Sequence, residues 1–344
     1  MHLERYSKQL LFSGIGEAGQ RQLMASRAVL FGCGALGSVL ADTLVRAGVG
    51  RLRIVDRDFV ELSNLQRQVL FDESDVETRL PKAIAAAEKL RRINSTVIVE
   101  PVVADVDHTN ILALIEGADL ILDGSDNFEL RFLINDASLE SGIPWIYAGV
   151  IGSHGQVMPI FPGSSACLRC LIERLPDAGS TETCDTAGIL GPAVQVVAAL
   201  EAVVAMKILS GQPGKVSRTL AYIDVWEGTL RQLNVADLRE RADCPACKQD
   251  ERAWLSGKLG SRTSVLCGRN AVQVSPTERA QVALDELAAR LRGSGEVQAN
   301  DYLLRFSPRD SPFELTVFRD GRAIIKGTED LALARSVYSR FIGS

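Results

Sequence analysis

Four of the seven cysteines stand as two close pairs, Cys167-Leu168-Arg169-Cys170 and Cys244-Pro245-Ala246-Cys247, far apart in the chain. A C-x-x-C turn presents two thiolates to one point, and two such turns supply the four soft ligands of a tetrahedral zinc ion. With Cys167, Cys170, Cys244 and Cys247 on segments so distant, the metal would staple two parts of the chain. Four protein ligands leave no position open for a substrate, so the expectation is a structural zinc site. Redox dithiols are the competing use of such pairs, and the doubling of the motif points to metal instead. Cys33, Cys184 and Cys267 stand singly.

A second group of residues suits a nucleotide. Gly32-Cys33-Gly34-Ala35-Leu36-Gly37 follows a short apolar run at 27–31. Val39, Leu40, Leu44 and Val45 then recur at helical spacing up to Gly48, a helix stop, and an apolar run at 52–55 ends in Asp56. Strand, G-x-G-x-x-G loop, helix, strand and acid is the layout that sets phosphate against a helix N-terminus. Gly32, Gly34 and Gly37 let the backbone approach phosphate, and Asp56 would take ribose hydroxyls. By itself this motif says nucleotide and leaves a NAD-binding Rossmann oxidoreductase open.

Further polar residues narrow the chemistry. They are Asp56-Arg57-Asp58, Ser63-Asn64-Leu65-Gln66-Arg67-Gln68, Pro81-Lys82 at a helix start, and Asp123-Gly124-Ser125-Asp126-Asn127 after a strand. Asp56 and Asp126 read as acids at the carboxyl ends of strands, the edge that lines the ligand crevice of a parallel sheet. Arg67 and Lys82 add positive charge there. Cations with a metal-holding acid are what phosphoryl and nucleotidyl transfer need. Hydride transfer needs no such set, and His2, His108 and His154 form no base constellation. No G-x-x-x-x-G-K-[S/T] run is present, so this is not a P-loop ATPase.

These residues need a frame to hold them. Helical patterns at 81–93, 109–116 and 127–140 alternate with strand patterns at 97–103, 119–123 and 144–150, and strands at 155–161, 219–225 and 229–235 follow. That rhythm predicts an α/β fold, a Rossmann-like and mostly parallel sheet with helices on both faces. The apolar stretch 193–209, interrupted by Glu201 and Lys207, predicts a buried or interfacial helix rather than a membrane span. Residues 1–248 would form the site-bearing domain with its zinc, and the polar stretch 249–263, with Gly257 and Gly260, a linker. Residues 264–344 would form a small C-terminal α+β domain. Its expected elements are a strand over 265–274, a helix over 277–291, strands near 302–306, 313–318 and 322–326, and a last helix over 328–342.

Composition excludes several classes. Hydrophobic residues make up 46% of 344 and charged residues 24%, the balance of a globular chain rather than a disordered or collagen-like one. A net charge of -5 argues against binding nucleic acid by charge. The first residues lead into polar sequence rather than an apolar signal core, so a cytoplasmic protein with no membrane association is expected.

Taken together and in this order, the motifs resemble the ubiquitin-activating-type adenylyltransferases, the group of ThiF, MoeB and HesA. The resemblance covers residues 3–248 and adds Arg5-Tyr6-Ser7-Lys8-Gln9 and Pro81-Lys82-Ala83 to the motifs above. It implies ATP-dependent adenylation of the C-terminal glycine carboxylate of a small β-grasp carrier ending in Gly-Gly, with Mg²⁺, release of pyrophosphate and a structural Zn²⁺. By the same resemblance Ala35 lies against the nucleotide, Asp56 holds the ribose, and Asn64, Arg67 and Lys82 bind the triphosphate. Asp126 organises Mg²⁺, with Asp58 and Asn127 counted in the same nucleotide-binding set. Arg5 matches an arginine that reaches into a neighbouring subunit's site, which implies a homodimer. Cys184 falls where some members bond covalently to the carrier's sulfur and others adenylate without that cysteine. Glu182 and Asp185 beside it would raise its pKa, against thiolate character. A downstream sulfurtransferase or conjugation partner is a further implication. The run Val76-Glu77-Thr78-Arg79-Leu80-Pro81-Lys82 is about two residues longer than the family's Val-Gly-x-Pro-Lys, and the C-terminal domain is no part of the minimal enzyme. The tRNA-modifying dehydratases of the same superfamily are the alternative, disfavoured by the acidic first 250 residues and the cysteine pairs. An inactive partner subunit is disfavoured by the full set of nucleotide-contacting residues.

Overall fold

The computed structural model describes residues 3–174, 187–241, 243–259, 263–266, 270–275, 281–309 and 311–342. They fall into two units, Met1–Leu259 and Gly260–Ser344. In the first, eight strands make one sheet: β1 (Arg27–Phe31), β2 (Arg51–Asp56), β3 (Ile98–Val103), β4 (Leu120–Asp123), β5 (Trp145–Ile151), β6 (His154–Ile160), β7 (Thr219–Asp224) and β8 (Thr229–Asn234). Their order is β3-β2-β1-β4-β5-β6-β7-β8. The run from β3 to β5 is parallel, whereas β6, β7 and β8 join antiparallel. The sheet is therefore mixed, and the parallel rhythm stops where Gly152 and Ser153 alone connect β5 to β6. A two-residue link can only make a hairpin, because a parallel crossover needs a dozen or more residues.

Helices cover both faces, and strand alternation decides what each face buries. In β1, Ala28 and Leu30 join one core while Val29 and Phe31 join the other. The first core takes α1 (Ala35–Ala47), α2 (Lys82–Ile93) and α4 (Gly191–Leu209). The second takes α3 (Phe128–Ser141) and the short helix Ile111–Ile115. Gly48, at φ 89°, ends α1 by donating to the carbonyls of Leu44 and Val45, as the sequence expects.

By length and composition α4 could cross a membrane. Here it packs against α1, β5 and β6 through Ala193, Val197, Ala198, Ala202 and Ala205, small residues that allow close approach. Glu201 sits on that buried face with no exposure. Neither carboxyl oxygen holds a hydrogen bond of good geometry, and the backbone amide of Asp123 is the polar group facing it. Burial first, then the charge of Asp123, raises the Glu201 pKa well above its ordinary value, which favours the protonated side chain.

Residues 251–259, expected in a polar linker, belong to the first unit. Trp254 stacks on Phe132 with ring centroids 5.3 Å apart, and Asp136 Oδ2 accepts from the amides of Trp254 at 2.9 Å and Leu255 at 3.3 Å. A tryptophan inside a charged stretch is invisible to a composition reading.

The second unit is an antiparallel sheet of β9 (Thr263–Leu266), β10 (Ala271–Val274), β11 (Gly295–Ala299), β12 (Leu303–Pro308), β13 (Glu314–Phe318) and β14 (Ala323–Lys326), ordered β11-β12-β13-β14-β10-β9. Helices α5 (Leu284–Leu291) and α6 (Leu331–Phe341) share a core with Val272, Phe306, Leu315, Val317 and Ile325. The single strand expected over 265–274 is two antiparallel strands. The helix expected from 277 begins at Leu284, with 276–280 outside the described residues. Strand β11 has Val297 as its one half-buried core contact, which hid it from any apolar alternation.

A native pKa above the unfolded one means that the folded state binds more protons, so stability falls as pH rises through that interval. For Glu201 this stability is fully present below the ordinary carboxyl range and declines above it, by at most about 1.4 kcal/mol per pH unit. Glu201→Gln, which mimics the protonated acid, should gain on the native protein between pH 5 and 8 in denaturant midpoints. Parallel curves for the two proteins would show that Glu201 carries no buried proton.

Candidate functional site

The strand order turns back at β1 and β4: the chain proceeds from β1 to β2 on one side and from β4 to β5 on the other. In open α/β sheets, ligands bind in the crevice beyond the carboxyl ends at such a point. Gly32 leaves β1 at φ 87°, and a Cβ there would lie 2.7 Å from the carbonyl oxygen of Gly124 after β4. A Cβ on Gly37 or on Gly124 would overlap the carbonyl oxygen of Gly32. These three glycines hold backbone against backbone. Gly34 differs, with only Gln68 Nε2 near a Cβ position, at 3.8 Å. It is also the N-cap of α1 and brings no side chain to the helix's first amides. The predicted glycine set thus divides: Gly32 and Gly37 close the loop onto the sheet, while Gly34 leaves space before the N-terminus of α1 at Ala35, where an anion is favoured.

Asp56 ends β2 and ties the loop to it. Its Oδ2 accepts from the Cys33 amide at 2.6 Å and its Oδ1 from the Asp58 amide at 2.7 Å. Burial raises the Asp56 pKa, and the nearby Lys82 charge opposes that. Burial and Asp56 push the Cys33 thiol up as well, so Cys33 packs and is no nucleophile. Lys82 is the first residue of α2, is buried, and places Nζ 3.2 Å from Asp58 Oδ2. The extra residues before it fold into the short helix Glu73–Thr78, capped by Asp72 and closed by Arg79 at φ 53°. They are absorbed without moving Lys82 from its helix start.

Asn64 is buried in the turn Leu62–Asn64, where its Oδ1 accepts from the Glu61 amide at 3.1 Å. Arg67 is half-buried and donates from Nη1 to the Ser63 carbonyl at 2.8 Å. Gln68, beside Gly34, is buried with Oε1 unpartnered. Arg57 pairs with Asp105 at 2.8 Å and feels the charge of Asp126.

The placement of Asp126 needs correction. Strand β4 ends at Asp123, and Asp126 is an exposed residue of the loop beyond it. The strand-end acid is Asp123, fully buried and paired with Arg131 Nε at 2.8 Å. Asn127 caps α3, its Oδ1 accepting from the amides of Glu129 and Leu130. Arg131 carried no signal in the sequence, where an arginine one turn into a helix reads as surface charge; Asp123 and Gln68 stood inside the motifs without a role of their own, and Glu201 marked only a break in an apolar run.

Arg5 is not part of this crevice. Its Nη1 donates to the Ile93 carbonyl at 2.9 Å, at the far end of α2 from Lys82. At about 1.5 Å per residue the two ends are roughly 16 Å apart. Cys184 and Cys267 lie outside the described residues.

The two cysteine pairs do converge. Cys167 Sγ lies 3.8 Å from Cys170 and 3.6 Å from Cys244, and Cys170 Sγ lies 3.5 Å from Cys247. All four sulfurs fall within 4.8 Å of one another. With Zn–S bonds near 2.3 Å, a tetrahedral site has S···S edges of about 3.8 Å, so the cluster fits zinc. Three of the four residues are buried, and Asn135 Oδ1 holds the Leu168 amide at 2.9 Å, fixing the first turn.

A glycine loop at the switch point of a Rossmann-like sheet, with acids and cations around it and a tetrathiolate cluster behind, defines a nucleotide-using α/β protein. The chain belongs to the ThiF family, whose profile matches residues 6–246. It is 46% identical over 340 residues to the sulfur carrier protein ThiS adenylyltransferase of Bacillus subtilis (strain 168), covering 98% of this chain and 99% of that protein. It is 38% identical over 245 residues to the SAMP-activating enzyme E1 of Haloferax volcanii, covering 71% of this chain and 88% of that one. Among solved structures, E. coli MccB with ATP superposes with a TM-score of 0.58 at 25% identity, covering 67% of this chain and 71% of that one.

Metal analysis should find one zinc per chain, lost on Cys244→Ser together with a lower denaturation midpoint, because a closed thiolate site contributes folding energy. Purified protein free of zinc, or a variant that keeps it, would overturn the assignment.

Proposed function

We propose that this protein is an ATP-dependent adenylyltransferase that activates the C-terminal glycine carboxylate of a small ubiquitin-like sulfur carrier ending in Gly-Gly and releases pyrophosphate. The observation that carries the reading is the crevice at β1 and β4, where Gly34, Asp56, Lys82 and the 123–127 loop surround one space. The 46% identity with the ThiS adenylyltransferase spans the second unit as well, which favours a sulfur carrier as substrate.

In this reading the carrier's carboxylate oxygen attacks the α-phosphorus of ATP and the bond to pyrophosphate breaks. Such transfer depends on positioning and charge rather than on a protein nucleophile. Gly34 and the first amides of α1 would meet phosphate oxygens, and Asp56, already locked by two backbone amides, would offer its remaining lone pairs to the ribose. Lys82, Arg67 and Asn64 would bind the triphosphate, with Asp58 holding the Lys82 ammonium in the crevice. Asp126 would hold Mg²⁺, which supplies positive charge to the phosphates. Asp58 and Asn127 act at one remove, through Lys82 and through the cap of α3.

Arg5 stands too far along α2 to serve its own crevice, so we assign it to the site of a second copy in a homodimer. Cys184 is the thiol that a covalent bond to the carrier's sulfur would use. The second unit would dock a downstream protein.

Asp126→Ala and Arg5→Ala should each lower carrier-dependent pyrophosphate exchange by about 100-fold or more. Mixed in equal amounts and allowed to exchange subunits, they should recover about a quarter of native activity, since each mixed dimer holds one intact site. No recovery after proven exchange would remove Arg5 from the neighbour's site.

Cutting the chain after Leu259, beyond the buried Trp254, should keep exchange and lose hand-over of the activated carrier. Loss of exchange in a truncated protein that stays folded and dimeric would place the second unit in the active site.

A further inference from the structure

Arg131 sits where four segments meet. Its Nε donates to Asp123 Oδ2 at 2.8 Å, and its Nη2 donates to the carbonyls of Ser125 at 2.7 Å and Ala148 at 2.9 Å. One guanidinium on α3 therefore spans the end of β4, the loop that follows it, and β5. The plane is held between two rings, with its central carbon 5.2 Å from the centroid of Phe128 and 5.2 Å from that of Tyr147. Asp123 uses its other oxygen on the same loop, accepting from the Ser125 amide at 2.9 Å and the Ser125 hydroxyl at 2.6 Å.

The loop is thus fastened on both sides of Asp126. Residues 123 and 125 are tied to Arg131, Gly124 lies against the backbone of Gly32 and Gly37, and Asn127 caps the helix that carries Arg131. Asp126 itself is exposed, and among the described residues its carboxylate makes no hydrogen bond. Its charge acts on Arg57 and Arg131, and its position is set by the loop rather than by hydrogen bonds of its own. The charges agree: Arg131 and Asp123 pair, and burial beside Asp123 raises the Glu201 pKa, which favours a cluster without net charge.

We propose that Arg131 is a positioning residue for the reaction: its fork, locked to Asp123, sets the loop that aims Asp126 at the metal. The proposal rests on the adenylyltransferase reading and on the metal role given there to Asp126. Lysine cannot replace this arginine, because a point ammonium reaches one or two of the three acceptors and lacks the planar fork.

The test is carrier-dependent pyrophosphate exchange by the full chain, titrated with Mg²⁺, for the native protein, Arg131→Lys and Asp123→Asn. A displacement of about 1 Å at a reacting centre can cost about 100-fold, so a loosened loop should show clearly. Both variants should need about tenfold more Mg²⁺ for half-maximal exchange and turn over more slowly, with the KM for ATP changed less than about twofold. In an Asp126→Asn background, Arg131→Lys should have almost no further effect on the residual exchange, because both changes act through one carboxylate. A folded Arg131→Lys protein with native Mg²⁺ dependence, or effects that multiply with Asp126→Asn, would overturn the proposal. Failure of both variants to fold would also overturn it, by making the pair a structural element alone. Absence of carrier- and Mg²⁺-dependent exchange in the native protein would instead sink the adenylyltransferase reading.

Discussion

At the carboxyl ends of β1 and β4 the backbone touches itself. Gly32, Gly37 and Gly124 approach so closely that a single Cβ at any of them would meet a carbonyl oxygen. This approach seats the start of α1 directly above the strand ends and brings the Cys33 amide within 2.6 Å of Asp56. It also fixes the height of the 123–127 loop over the sheet. A methyl group inserted at this point would lift the loop, move the uncapped amides of α1 and undo the link to β2 together.

Around that contact the crevice solves an electrostatic problem. A site for a polyanion must keep several cations close together, and unpaired cations in a low-dielectric cleft repel each other and lose hydration. Here the cations Arg57, Lys82 and Arg131 have the carboxylate partners Asp105, Asp58 and Asp123. Arg131 and Asp123 are buried on both sides, and breaking such a pair by removing one partner costs about 3–5 kcal/mol; the other two pairs each have a half-buried partner and are weaker. These pairs therefore hold side-chain direction as firmly as packing does. Glu201 behaves in the opposite way: burial in the core raises its pKa and favours its uncharged form.

The cysteine cluster addresses chain connectivity. Between its two pairs run α4 and the β7–β8 hairpin, so closing the cluster closes a long loop that includes the helix under β5 and β6. Cys167 is fully buried beside the core of α3, and Trp254, just beyond the second pair, stacks on Phe132 of α3. Metal, helix and tryptophan thereby secure the same face of the sheet.

The nucleotide loop, the strand–helix rhythm and the metal cluster were legible in the sequence because each depends on local rules. Glycines at 32, 34 and 37, a helix stop at Gly48 and two C-x-x-C turns act within a few residues of themselves. The family resemblance, carried by motifs, was legible for the same reason. Other features depended on distant neighbours. The sheet turns antiparallel after β5 because of one short link, and β11 holds its place by pairing with β12 rather than by apolar alternation. Asp126 lies three residues past the strand end where Asp123 stands, and only strand pairing with β1 marks that end. Arg131 and Glu201 look like surface charge and a break in an apolar run. Burial, which no local pattern encodes, makes one a paired cation and raises the pKa of the other, and burial is decided only when α3 and α4 close on the sheet.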